Sequence, residues 1–218
     1  MTESAEPTGT YGPGTINGAR PTELFAALRT GEDTTMARLR TRLAADAERD
    51  GLLDVGYRTL DSPVGSLLLA ATGQGLVRVA YASQDHDAAL AKLAEAVGPR
   101  ILYAPGRLDE VCRQLEQYFA GRRTAFDVPL DLRLSSGFRR AVLAHLAAIG
   151  YGRTESYREV AIAAGSPKAV RAVGTACATN PLPLVLPCHR VVRSDGSPGQ
   201  YAGGAEAKQI LLRMEAAA

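Results

Sequence analysis

The chain has 218 residues, 46% of them hydrophobic and 22% charged. That size and composition fit one large globular domain or two small ones and exclude a fibrous or wholly disordered protein. No apolar run reaches the roughly 18 residues needed to cross a bilayer, and the opening MTESAEPTGTYG lacks the basic-then-apolar pattern of a secretory leader. Three cysteines, Cys112, Cys177 and Cys188, form an odd and widely spaced set. This argues against a disulfide framework and for a reducing compartment, the cytoplasm.

Charge is uneven along the chain. Residues 1–50 hold 8 acids and 6 bases, residues 51–130 hold 9 and 8, and residues 131–218 hold 6 and 11, so the last stretch alone carries +5. Such asymmetry suits a polyanionic partner, although a basic surface without a target is the commoner meaning of charge alone.

Residues 1–20, rich in Gly, Thr, Pro and Ser, read as a disordered tail. Residues 21–50 read as one or two amphipathic helices, with Met36, Leu39 and Leu43 at helical spacing as a docking face. From residue 55 the period changes. VGYRTLDSPVGSLLLAATGQGLVRVAYA predicts three strands of an antiparallel meander, with turns at residues 61–65 and 73–75. Helices follow over residues 85–97 and 107–120, the second with Leu108, Val111, Leu115 and Phe119 on one face and Gly121 as its stop. FDVPLDL reads as an extended link.

The basic remainder reads as helical. Residues 135–149 predict an amphipathic helix with Phe138, Val142, Leu146 and Ile149 inward. A short helix over residues 157–164 ends at Gly165, and Ser166 and Pro167 suit the N-cap and first position of a third helix running to about residue 178. Two helices joined by a tight turn behind a longer one give a helix-turn-helix silhouette. The third helix is thin, because Ala169, Ala172, Gly174, Ala176 and Ala178 carry almost no side chain. It can approach a groove closely or pack tightly on another helix, and Arg171 projects from among these small residues.

LPLVLPCHRVV places Cys188 after what reads as a buried apolar strand and Pro187, with His189 and Arg190 next. A thiol is a weak nucleophile at neutral pH until a base or a positive field raises its thiolate fraction. His189 can supply the base. Consecutive strand side chains point to opposite faces, so a turn after Pro187, or a water, has to link the two. A histidine base needs a carboxylate to fix its tautomer, and Glu215, in KQILLRME, is the candidate if the C-terminal segment folds back.

At these residues the chain resembles a known family. NPLPLVLPCHRVVRSDGSPGQYAGGA, with SYREVAIAAGSPKAVRAVGTACATNP upstream of it and GLLDVGYRTLDSPVGSLLLAATGQGLVRVAY nearer the N-terminus, is similar to the O6-alkylguanine-DNA alkyltransferases. The likeness covers roughly residues 52–215. It implies an α+β (α/β) fold. A small N-terminal domain with an antiparallel, ribonuclease H-like sheet spans residues 52–130. A helical, winged-helix or helix-turn-helix-like domain carrying the active site spans residues 131–218. Residues 1–20 remain a tail and 21–50 a helical extension without a counterpart.

The resemblance implies DNA repair by direct reversal: irreversible, stoichiometric transfer of the alkyl group from O6-alkylguanine in double-stranded DNA, with O4-alkylthymine as a second candidate, to a cysteine. It implies a monomer, no cofactor, no metal and no membrane. By motif position Cys188 would be the acceptor, His189 its base through a water, and Glu215 the holder of His189. Asn180 would brace the site, and Tyr157 would serve the leaving guanine or a phosphate. Arg171 would fill the hole left by the flipped nucleotide, with Ala169, Ala172 and Gly174 against the DNA. Val191, Tyr201 and Ala202 would meet the base. Ala202 stands where the family often has serine, and the absence of cysteine before Cys112 removes the structural zinc of some relatives. Cys112 and Cys177 read as packing residues, and His86 and His145 as a loop and a helix-surface histidine. From the residues themselves, two other readings stay open: a damage-binding protein without transfer, and a cysteine hydrolase built on Cys188, His189 and Glu215.

Overall fold

The computed structural model describes residues 21–216, with side chains from residue 35 onward; the tail expected over residues 1–20 lies outside them. The described residues up to Arg40 form one unit and those from Thr41 a second. Helix α1 spans Pro21–Arg49. In the second unit its buried residue is Ala44, packed with Ala47 against Leu53, Leu102 and Ala104. Leu43, expected on the docking face, is exposed. Small residues allow the helix backbone to lie close to the sheet, and Arg107 ties it there by donating to Glu48 at 2.8 Å.

The three predicted strands are β1 (Val55–Leu60), β2 (Leu67–Thr72) and β3 (Gly75–Tyr81). They pair antiparallel as expected. After α2 (His86–Ala96) a fourth strand, β4 (Ile101–Tyr103), adds parallel to β1, giving the order β3-β2-β1-β4. Three residues are too short a run to show alternation, so β4 left no periodic signal. The central strand β2 is buried throughout, and its period of two divides it between two cores. Leu68 packs with Ala80 and Ala89, and Ala70 with Val55, Val77 and Leu93, on the α2 side. Leu67, Leu69 and Ala71 face the other way, into a core that continues through α3 (Asp109–Phe119) into the C-terminal helices. A separate 3-10 turn precedes α3, so the helix expected from residue 107 starts two residues later.

The link after α3 closes the free edge of β3. Leu76 donates to the Pro129 carbonyl and accepts from Asp131 N, both at 2.8 Å. The C-terminal part comprises α4 (Gly137–Leu146), α5 (Tyr157–Ala163), α6 (Val170–Ala178) and α7 (Gly204–Ala216). A short parallel pair, β5 (Glu155–Ser156) with β6 (Val191–Val192), was not foreseen. The third predicted helix starts at Val170 rather than Pro167, with no side-chain cap, because residues 166–169 form a turn closed by Ala169 N donating to Ser166 O.

The segment before Cys188 is not a strand. Pro181, Pro183 and Pro187 cannot donate to a ladder, and residues 182–186 form a compact buried coil in which Leu186 N donates to Leu182 O at 2.8 Å. Gly75 marks the tightest approach between sheet and link: its φ is +142° and a Cβ there would collide with the Pro129 carbonyl. Gly75→Ala is therefore expected to destabilise the chain by about 2–4 kcal/mol, combining overpacking with an unsuitable backbone conformation. A urea midpoint within error of the parent would refute this contact as a constraint.

Candidate active site

Cys188, His189 and Arg190 form one turn of 3-10 helix after Pro187, and all three are buried. The turn after Pro187 that a link between the two side chains requires is present. His189 Nε2 lies 2.8 Å from Glu215 Oε1, so α7 does fold back as expected. Glu215 is 3% exposed and accepts four more hydrogen bonds. Arg190 donates through Nε to Oε2 at 2.9 Å and through Nη2 to Oε1 at 3.0 Å. Tyr118 OH donates to Oε1 at 2.6 Å, and Gly152 N to Oε2 at 3.2 Å.

Burial alone would raise the Glu215 pKa, but the hydrogen bonds from His189 and Arg190 outweigh it and hold the group down to about 2. An ionised carboxylate only accepts, so His189 carries its proton on Nε2 and presents a bare Nδ1. That Nδ1 is buried and has no hydrogen-bond partner in the protein. A water molecule is the ordinary partner for such an atom. Burial also lowers the His189 pKa, against the raising effect of Glu215, which keeps the ring neutral and able to take a proton.

Cys188 is 2% exposed. Burial pushes its pKa up to about 11, while a hydrogen bond from Asn180 and the charge of Lys208 pull it back. At rest it is a thiol. Asn180 organises the coil around it: Nδ2 donates to the Leu186 carbonyl at 2.8 Å and to Cys188 Sγ at 3.2 Å, while Oδ1 accepts from Leu182 N at 2.9 Å. Both Cys177 and Cys112 are buried packing residues; Cys177 is pushed up to about 12 by burial and by Cys188.

The β5–β6 pair sets Glu155 and Ser156 beside Val191 and Val192, and so brings Tyr157 next to the Cys188 turn. Ser156 and Glu159 form a reciprocal capping box that fixes Tyr157 as the first residue of α5. A Cβ on Gly199 would lie 2.9 Å from the Tyr157 hydroxyl, and one on Gly203 would lie 2.7 Å from the Tyr81 ring. The loop bearing Tyr201 and Ala202 is thus held between two tyrosines. Tyr81 and Tyr201 share a hydroxyl hydrogen bond of 2.8 Å. On α6, Val173, Ala176 and Cys177 face the core, whereas Arg171 and Ala172 are exposed and Ala169 and Gly174 are half-buried. Ala176, read as part of the thin outer surface, belongs to the packing side.

Four residues of this arrangement had no role assigned from the sequence: Tyr118, Tyr81, Arg190 and Lys208. Lys208 is fully buried and donates to the Val191 carbonyl at 2.6 Å. The spacing of Lys208, Leu211 and Glu215 places all three on one helix face, which was the available signal.

The 6-O-methylguanine DNA methyltransferase ribonuclease-like domain matches residues 55–132, and the DNA binding domain of the same methyltransferase matches residues 137–217. The chain belongs to this family. A methylated-DNA–protein-cysteine methyltransferase of Mycobacterium tuberculosis is 39% identical over 74% of this chain and 92% of the relative. The constitutive enzyme of that name from Bacillus subtilis is 37% identical over 73% and 94%. The crystal structure of M. tuberculosis O6-methylguanine methyltransferase superposes with a TM-score of 0.66 at 39% identity, over 75% of this chain and 93% of that one. The M. tuberculosis protein in complex with DNA gives 0.64, again at 39%, over 74% and 93%. The family's mixed α+β fold, with a sheet followed by a helical part, is the fold found here.

The carboxylate carries a pH dependence. A group whose pKa is depressed in the folded state contributes stability above its unfolded pKa and loses it as pH falls through the folded value. Glu215 should therefore stabilise the chain fully above about pH 5 and progressively less toward about pH 2. Glu215→Gln should cost about 3–5 kcal/mol at pH 7, since Arg190 is left buried without its counter-charge, and should flatten the acid dependence. Urea unfolding at pH 7 and pH 3.5 tests both; equal losses at the two pH values would contradict the assignment.

Proposed function

We propose that this chain repairs DNA by direct reversal, moving the alkyl group of O6-alkylguanine irreversibly to Cys188. The observation that carries the reading is the buried pair of the ionised Glu215 and His189, the latter with its Nδ1 bare and set in the same 3-10 turn as the buried Cys188. On this reading the Cys188 proton passes through a water to His189 Nδ1. The emerging thiolate is stabilised by Asn180 and Lys208. Sulfur attacks the alkyl carbon, the carbon–oxygen bond breaks, and its electron pair returns to the guanine. Tyr157, whose pKa is raised by burial and by Cys177 and Cys188, is a neutral donor that gives a proton to the leaving base, and the proton held by His189 then returns through water to the Tyr157 oxygen. The thioether is stable, so each molecule acts once.

A base inside a duplex is out of reach of a buried thiol, and extruding the nucleotide costs a few kcal/mol. Arg171 suits the place of a wedge: it is exposed on α6 beside Ala172, and no ion pair engages it among the described residues. Ala169, Ala172 and Gly174 would let the helix approach the groove. Val191 and the Tyr201–Ala202 loop would receive the flipped base. In this scheme residues 131–218 bind DNA and carry the acceptor, residues 52–130 support them, and the chain acts as a monomer on double-stranded DNA in the cytoplasm. The M. tuberculosis relative solved in complex with DNA supports this partner.

Incubation with duplex DNA containing O6-methylguanine, followed by peptide mass spectrometry, is expected to find one methyl group on Cys188. An unmodified Cys188 peptide under saturating duplex sinks the proposal in favour of binding without transfer, and repeated ester turnover at Cys188 would favour a hydrolase. Cys188→Ser should bind the duplex as the parent does and acquire no methyl group. Arg171→Ala should slow transfer from duplex by about 10–100-fold, the scale of losing a few kcal/mol of support for the flipped state, and leave transfer from the free base O6-methylguanine nearly unchanged. Equal rates on duplex would remove Arg171 from the flipping step.

A further inference from the structure

We infer that Tyr118, on α3 of the sheet-containing part, is a positioning residue for alkyl transfer: its hydroxyl anchors the Glu215 carboxylate and so sets how strongly His189 attracts the Cys188 proton. The inference rests on the transferase reading above. Tyr118 is wholly buried. Its hydroxyl donates to Glu215 Oε1 at 2.6 Å and lies 3.5 Å from His189 Nε2. The phenol and the imidazole therefore share one carboxylate oxygen.

The ring has little freedom. Phe119, Phe126 and Tyr151 surround it with centroid separations of 5.4, 5.3 and 6.1 Å. Gln114, one turn earlier on α3, locks the following link by two hydrogen bonds with the Asp127 backbone, both 2.8 Å. Burial and the nearby Glu215 charge push the phenol's pKa up, so it remains a neutral donor over the whole working range.

The chemistry follows from sharing. Each donor to Oε1 draws off part of the negative charge that would otherwise stabilise a protonated His189. With Tyr118 in place, the carboxylate fixes the ring's tautomer without making the ring strongly basic. Remove the hydroxyl and more charge is left facing His189. The imidazolium is favoured, and the ring is protonated, hence inactive as a base, up to a higher pH. The other groups facing the pair are Arg190 on the His189 turn, Tyr151 after α4, Lys208 from α7 and Tyr201 from the glycine loop. None of them gains or loses a proton donor in Tyr118→Phe.

The test uses the full chain in single-turnover transfer from O6-methylguanine duplex across pH. Tyr118→Phe keeps the ring and its packing. It is expected to move the acidic limb of the rate profile up by about one pH unit, so that transfer slows by up to about tenfold on that limb and little above it. Replacing Tyr118 with 3-fluorotyrosine strengthens the donor and should move the limb the other way. A purely structural role would lower the whole profile without moving its limb. A limb unmoved in both variants, or moved the same way in both, overturns the inference. The ¹⁵N signals of His189, followed against pH without DNA, should shift in the same two directions; unchanged signals would overturn it too. A parent chain that transfers no methyl group would instead overturn the transferase reading, and the ¹⁵N measurement then still decides whether Tyr118 tunes His189.

Discussion

The structure around the thiol depends on keeping one buried carboxylate ionised. Removing a carboxylate from water costs several kcal/mol. Hydrogen bonds to a charged group return about 1.5–3 kcal/mol each, and Glu215 receives five, two of them from the Arg190 guanidinium. The donors win, which is why the group is held down to about 2 despite its burial. The donors come from α3, from the turn after α4, and from the Cys188 turn, while the carboxylate itself comes from α7. Four distant stretches of chain are thus registered by one pair of oxygens, and the His189 tautomer is a consequence of that registration.

Burial gives Cys188 protection at the expense of reactivity. A thiol held near 11 resists oxidation and adventitious alkylation, because the thiolate is the reactive form. The same burial requires that proton removal, charge stabilisation and substrate be in place together. Asn180 meets part of that demand. Its amide already touches Sγ while it closes the coil through Leu182 and Leu186, so the hydrogen bond that would stabilise a thiolate involves no rearrangement. Lys208, bonded to the Val191 carbonyl, adds a charge that also lowers the Cys188 pKa.

Much of this was legible in the residues, and the omissions have physical causes. The three antiparallel strands followed from their period of two, and Glu215 was named because a histidine base needs a carboxylate. The apolar run before Cys188 read as a strand because hydrophobicity reports burial rather than conformation; the three prolines were the contrary signal. The expected face of α1 followed bulk, whereas the helix buries Ala44, since close approach favours the smallest residue. Tyr118 and Tyr81 lay beyond reach for another reason. Each is an ordinary inward aromatic in its own element, and its meaning arises only where the sheet meets α7 and the glycine loop, more than 90 residues away along the chain.

The glycine loop gives the clearest view of why the two parts work as one body. Gly199 lies against the Tyr157 hydroxyl and Gly203 against the Tyr81 ring, each too close for a Cβ. Tyr157 belongs to the helical part, whereas Tyr81 is the last residue of β3. The loop between them carries Tyr201 and Ala202, and Tyr201 is bonded to Tyr81 at 2.8 Å. A side chain at Gly203 would have to move either the strand or the loop. The strand is pinned at Val79, whose N–H donates to Pro181 in the Cys188 coil at 2.8 Å. The loop would therefore yield, and with it the backbone that would face the flipped base. The sheet thus fixes where that backbone lies, as well as how the carboxylate is held.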